Sequence, residues 1–118
     1  MGRILSDSCY FVYVTARDAA EAKRIGRTVV AERLAACANV LDGMSSVYWW
    51  QGKIEEATEA VLILKTTTKR FEELMARIKA LHSYETPAIV AWPIAAGSAE
   101  YLDWIGDETA PDARADAR

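Results

Sequence analysis

The chain is short of several things, and each shortage closes off a class of protein. It has two cysteines, Cys9 and Cys37, in 118 residues, and no C-x-x-C pair. A disulfide framework and a thiolate zinc knuckle are therefore excluded, and both thiols are read as reduced and buried, which fits a cytoplasmic protein. Lysine and arginine do not outnumber the acids, and the net charge is −3. Polyanion binding would call for a basic patch, so no nucleic-acid partner is expected. No uninterrupted apolar run is long enough to cross a bilayer, and the N-terminus MGRILSDS lacks a leader-like apolar segment. Neither a membrane partner nor a secretory route is expected. A phosphate-cradling glycine loop, a dinucleotide-binding fingerprint and a nucleophile beside a base are all missing, so the chain is not read as an enzyme.

What is present is an ordinary globular balance, 52% apolar and 26% charged, in a chain long enough for one self-supporting core. Its organising feature is the stretch Val40–Thr66. Val47-Tyr48-Trp49-Trp50, then Gln51-Gly52, then Lys53-Ile54 onward read as a long β-hairpin with two tryptophans at its tip. Glycine in second place suits a type I turn followed by a left-handed glycine bulge. Asp42-Gly43 interrupts the first arm without ending it, as a bend or bulge does.

Around the hairpin, Cys9 to Thr15 is an aromatic and β-branched run without alternation, a strand covered on both faces. Asp18-Ala19-Ala20-Glu21 opens a capping-box-like helix running to about Leu34. The returning hairpin strand is polar from Lys53 to Glu59 and apolar on both faces from Ala60 to Leu64. One of Thr66, Thr67 and Thr68 is expected to cap a second amphipathic helix marked by Phe71, Leu74, Met75, Ile78 and Leu81. Ala88 to Ile94 is a fourth strand, and Pro93 places it at a sheet edge. Ser98 then caps a short helix from Ala99 to Ile105.

The order strand–helix–strand–strand–helix–strand predicts an α+β, ferredoxin-like βαββαβ sandwich with a long central hairpin and a short C-terminal helix. The domain spans residues 9–106, with a short lead over 1–8 and a disordered tail over 107–118. Two helices cover one face of such a sheet and leave the other bare. The strand from about Ala38 to Trp50, roughly 40 Å at ~3.3 Å per residue, lies at an edge and outruns its neighbours. A long apolar edge of this kind calls for a partner copy, so self-association through Val47, Tyr48, Trp49 and Trp50 is expected.

Few residues offer chemistry. His82 is the only histidine; a capping or packing role suits its place at the end of the second helix, and metal ligation together with Glu85 is the alternative. Lys65 follows a buried run, where Glu55, Glu56, Glu59 or Glu85 can neutralise it, and a snorkelling strand-end lysine is the plainer reading. Tyr48, Trp49, Trp50, Tyr84 and Trp92 are candidates to line an apolar pocket.

Several of these stretches together resemble one family. Ala31-Glu32-Arg33-Leu34-Ala35-Ala36-Cys37-Ala38-Asn39, Ser46-Val47-Tyr48-Trp49-Trp50-Gln51-Gly52-Lys53-Ile54-Glu55-Glu56, Leu64-Lys65-Thr66, Leu81-His82-Ser83-Tyr84-Glu85-Thr86-Pro87 and Tyr101-Leu102-Asp103-Trp104-Ile105 are similar, in order, to the motifs of the CutA divalent-cation tolerance proteins. The resemblance implies a tight homotrimer with PII-like architecture, no required cofactor, and a role in tolerance of copper and other divalent ions. It also implies weak metal binding at an inter-subunit cleft near His82 and Glu85. The alternative is a PII-like sensor holding a small anionic ligand or nucleotide between subunits, near Lys65, Tyr84, Glu59 and Trp50. The chain departs from the family pattern at Ser83, where proline is usual, and at Ala88, where glutamate is common. Val14 and Leu81 stand where some members carry a cysteine and a second histidine, so a copper site built on that pair keeps only His82.

Overall fold

The computed structural model describes residues 8–111. It contains β1 (Cys9–Ala16), α1 (Ala19–Ala31), β2 (Cys37–Trp50), β3 (Lys53–Thr67), α2 (Phe71–Leu81), β4 (Ile89–Pro93) and α3 (Ala99–Thr109). The strands form one antiparallel sheet in the order β2-β3-β1-β4. This is the expected ferredoxin-like sandwich, with β2 and β4 at the two edges.

Alternation along the strands divides the sheet into two unlike faces. Val12, Val14 and Ala16 of β1 and Ala60, Leu62 and Leu64 of β3 meet Ala22, Ile25 and Val29 of α1 and Leu74 and Ile78 of α2 in a fully buried core. The opposite face carries Phe11 stacked on Trp92 (centroids 5.1 Å apart) with Tyr13 beside them. Its end near Cys9 is covered by Ile105 and Leu102 of α3. Leu41, Val90 and Trp92 on the open face remain about half exposed.

β1 ends at Ala16, opposite Ala60. From Lys53 to Glu59, β3 therefore pairs with β2 alone, an overhang of roughly 23 Å that stretches the molecule to 52 Å against 22 Å across its thinnest direction. Val47, Trp49 and Ile54 on this arm are among the most exposed large apolar side chains.

Local chemistry explains where the elements differ from expectation. α1 stops at Ala31 rather than Leu34 because Arg33 adopts a left-handed φ of 65°. Its N–H donates to the Val30 carbonyl and that of Leu34 to the Val29 carbonyl, the pair of bonds that closes a Schellman motif. None of Thr66, Thr67 and Thr68 caps α2. Its N-cap is Arg70, without a side-chain cap bond, and the buried Thr66 hydroxyl donates instead to the Leu34 carbonyl at 2.7 Å. At the hairpin tip both Gln51 (φ 51°) and Gly52 (φ 80°) are left-handed, the signs a two-residue type I′ turn needs, and that turn matches the strand twist better than type I.

α3 runs past Ile105 to Thr109, so residues 107–109 of the expected tail are helical instead. Thr109 is buried and its hydroxyl donates to the Ile105 carbonyl, while Glu108 pairs with Arg33. Residues 1–7 of the expected lead and 112–118 of the expected tail lie outside the described residues.

Candidate functional site

A one-residue irregularity in β2 sets the site. Leu41 faces Val61, yet Met44 faces Glu59, so β2 spends one residue more than β3 between these pairs. Gly43 takes the required positive φ of 75°, and the Asp42 carboxylate accepts from its amide at 2.8 Å. Such a bulge reverses the facing of everything beyond it. Ala38 and Val40 pack on the core; past the bulge, the even-numbered Met44, Ser46, Tyr48 and Trp50 turn to the open face.

There they wall a cleft of about 720 Å³ together with Tyr13, Thr15 and Glu59 of the sheet and Tyr84, Glu85, Thr86 and Ala88 of the α2–β4 loop. The volume is that of a small-molecule pocket. Glu59 is only 5% exposed and accepts a 2.6 Å hydrogen bond from the Tyr84 hydroxyl. Burial, then the Glu59 carboxylate, push the Tyr84 phenol far above its ordinary value, because a phenolate would be both desolvated and beside a negative charge. Tyr84 is thus a committed donor. The Tyr13 hydroxyl donates to the Met44 sulfur at 3.4 Å.

The loop carrying Tyr84 is tied down from two sides. His82 Nδ1 accepts from the Tyr84 amide at 3.0 Å and its Nε2 lies 2.8 Å from the Thr15 carbonyl, which makes Nε2 the protonated nitrogen. Glu21, 1% exposed, accepts from the Ser83 amide with one oxygen and from the Arg17 amide with the other, both at 2.8 Å. Asp18 accepts from the Glu21 amide at 2.9 Å. The capping box at the start of α1 therefore also anchors a loop about sixty residues away in sequence.

The structure brings Trp50, Glu59, Tyr84 and Glu85 to one cleft, with Tyr48 from the expected self-association set. Trp49 points away from it and is 72% exposed, and Trp92 belongs to the Phe11 stack. Lys65 is not in the cleft: six residues along β3 from Glu59, it donates to the Asn39 side-chain oxygen at 2.8 Å and lies over the Phe11 ring. Among the described lining residues none is Lys or Arg, while two are carboxylates. An anionic ligand would find no counter-charge on this protomer's walls.

For a metal ion the protomer alone is a poor fit. Both His82 nitrogens are engaged, so coordination would displace a bond to Tyr84 or Thr15. Val14 is wholly buried in the core. Among the described residues no group of three His, Cys, Asp or Glu side chains gathers to hold an ion. Tyr13, Met44 and Ser46 in the cleft, and Glu21 behind it, escaped the sequence reading. Counting the bulge before the alternation Met44, Ser46, Tyr48, Trp50 would have found two of them; the Glu21–Ser83 tie has no local signal.

Fold and overhanging hairpin define a ferredoxin-like α+β protein with an aromatic cleft on its open sheet face. Comparison with known proteins narrows this. The profile of the family described as CutA1 divalent ion tolerance protein matches residues 10–108. The divalent-cation tolerance protein CutA of Thermus thermophilus is 48% identical over 98 residues, 83% of this chain and 95% of that protein. The CutA of Archaeoglobus fulgidus is 48% identical over 99 residues, 84% and 95% of the two chains. Among solved structures, CutA1 of Oryza sativa superposes with a TM-score of 0.85 at 38% identity, covering 88% of this chain and 95% of its own. The A. fulgidus structure, described as a periplasmic divalent cation tolerance protein, gives 0.83 at 44% identity over 86% and 98%. The chain belongs to the CutA1 divalent ion tolerance family.

Proposed function

We propose that this protein acts in divalent-cation tolerance as a homotrimer, without enzymatic activity, and that a divalent metal such as copper meets it weakly at the cleft. One observation carries the reading. The β2–β3 arm is an unsupported sheet edge with Val47 and Trp49 exposed, continuous with the open face at Leu41, Val90 and Trp92. A sheet edge of this length beside an apolar face is the surface that another copy of the chain covers. The names of the similar proteins supply the cation, and Glu59 and Glu85 favour a cation over an anion in the cleft.

Glu85 is the first donor in this reading. His82 joins by exchanging its Tyr84 amide contact for the metal, and a neighbouring subunit supplies what one protomer lacks. A reducing compartment, the cytoplasm, suits Cys9 and Cys37, neither of which is in a disulfide. Light scattering after size exclusion tests assembly, and a monomer at micromolar concentration sinks the trimer. Copper titration of wild type, His82→Ala and Glu85→Gln tests the donors. Identical isotherms for all three remove both residues from the metal site.

A further inference from the structure

We propose that the cleft binds an organic ammonium ion, seated between the rings of Tyr13, Tyr48, Trp50 and Tyr84 with Glu59 as its counter-charge. The proposal rests on the reading of the cleft as a cation site and adds the chemical class of a second kind of occupant.

Three observations carry it. The walls are aromatic: four rings from two strands and a loop border one cavity of about 720 Å³, far larger than a bare ion needs and within the range of small-molecule pockets. Aromatic faces attract ammonium groups, most strongly where water is excluded. Second, the charge at the back of the cavity is negative and incompletely matched. Glu59 is 5% exposed, and its partner among the described residues is the Tyr84 hydroxyl on Oε2. A neutral donor offsets only part of the cost of burying a carboxylate, and a cation in the cleft would offset the rest. No lysine or arginine among the described lining residues competes for it.

Third, one protomer's lining suits an alkylammonium without help from a neighbouring subunit. Beside the rings and two carboxylates it offers the Met44 thioether, small hydroxyl side chains and the apolar Val47 and Ala88, and among the described residues no three His, Cys, Asp or Glu side chains gather. Two of the four rings are also held in place. Tyr84 is fixed through its hydroxyl to Glu59, and Tyr13 through its hydroxyl to Met44. A cage whose walls are already fixed loses little freedom when it closes on its guest.

The test titrates the intact oligomer with tetramethylammonium chloride while following tryptophan emission and heat. tert-Butanol serves as a neutral analogue of similar size, sodium chloride controls for ionic strength, and copper(II) chloride is run in parallel. The expected result is saturable binding of tetramethylammonium, no response to tert-butanol at the same concentrations, and at least ten-fold weaker binding by Glu59→Gln. Trp50→Leu, which leaves the buried carboxylate intact, should weaken binding several-fold and decides the matter if Glu59→Gln fails to fold. Equal responses to tetramethylammonium and tert-butanol, or no response to either, overturn the proposal, as does unchanged affinity in the folded variants. If copper binds in a Glu85-dependent way while tetramethylammonium does not, the metal reading stands and this one falls. The reverse pattern removes the metal and leaves the ammonium site.

Discussion

Replacing Glu21 tests the link between helix α1 and the cleft most directly. Its carboxylate is buried and accepts two backbone N–H groups, from Arg17 and Ser83, each at 2.8 Å. Hydrogen bonds to a charged group contribute about 1.5–3 kcal/mol each, and an amide left buried without a partner costs a similar amount. Glu21→Ala should therefore destabilise the protein by about 3–6 kcal/mol, and Glu21→Gln, which keeps one good acceptor, by about half of that. Arg24, at 3.7 Å and half exposed, adds no more than ~1 kcal/mol. The carboxyl also reports through pH. Burial raises its pKa, but hydrogen bonds from Ser83 and Arg17 outweigh that and hold it below the ordinary glutamate value. A depressed folded-state pKa contributes stability above the unfolded value, near 4.5, that is lost as pH falls through the folded one. Denaturant unfolding at fixed protomer concentration measures the loss, and amide exchange at Ser83 locates it. If Glu21→Gln costs less than ~0.5 kcal/mol and Ser83 exchanges no faster, the anchoring argument is wrong.

Three further outcomes are expected. Gly26→Ala would set a Cβ 2.9 Å from that of Ala38 and 3.1 Å from Leu62 Cδ1, overpacking α1 against the sheet at a cost of about 1–3 kcal/mol; a melting temperature equal to wild type would contradict this. Tyr84, with its pKa raised above the usual 10.0, contributes stability that is whole below pH 10 and is lost as pH rises toward the folded value; in a spectrophotometric titration Tyr84→Phe should delete a late-ionising phenol, not an early one. Trp49→Ala combined with Trp50→Ala should shift oligomer dissociation by ten-fold or more while leaving the far-ultraviolet spectrum unchanged. Loss of secondary structure at the same concentration would instead make the tip part of the protomer's own fold.

The topology was legible because its signals are local and repeated. Asp18 and Glu21 mark the start of α1, Pro93 marks an edge strand, and the change from polar Lys53–Glu59 to apolar Ala60–Leu64 marks where the sheet begins. Element ends were less so. A left-handed Arg33 and a helix carried on to Thr109 rest on local bonds to the Val29, Val30 and Ile105 carbonyls and on the distant Arg33–Glu108 ion pair, none of which a residue type announces. Of the cleft's lining, Trp50, Glu59, Tyr84 and Glu85 were singled out from sequence as candidate site residues. Lys65 was misplaced because adjacency to a buried run says nothing about which end of a long strand a side chain occupies. The capping or packing role expected of His82 agrees with its place at the end of α2, but which partners its two nitrogens engage is not readable from sequence.

The extra residue at Asp42-Gly43 divides the labour of a single strand. Before it, inward side chains such as Val40 answer to the protomer's own core; after it, Tyr48 and Trp50 answer only to whatever lies on the other side of the sheet. A neighbouring copy that covers the arm would therefore also border the cleft. By linkage, a molecule bound there stabilises the folded chain, and one that also touches the neighbouring copy tightens their association. In the proposed homotrimer, occupancy of the cleft would then be readable as assembly.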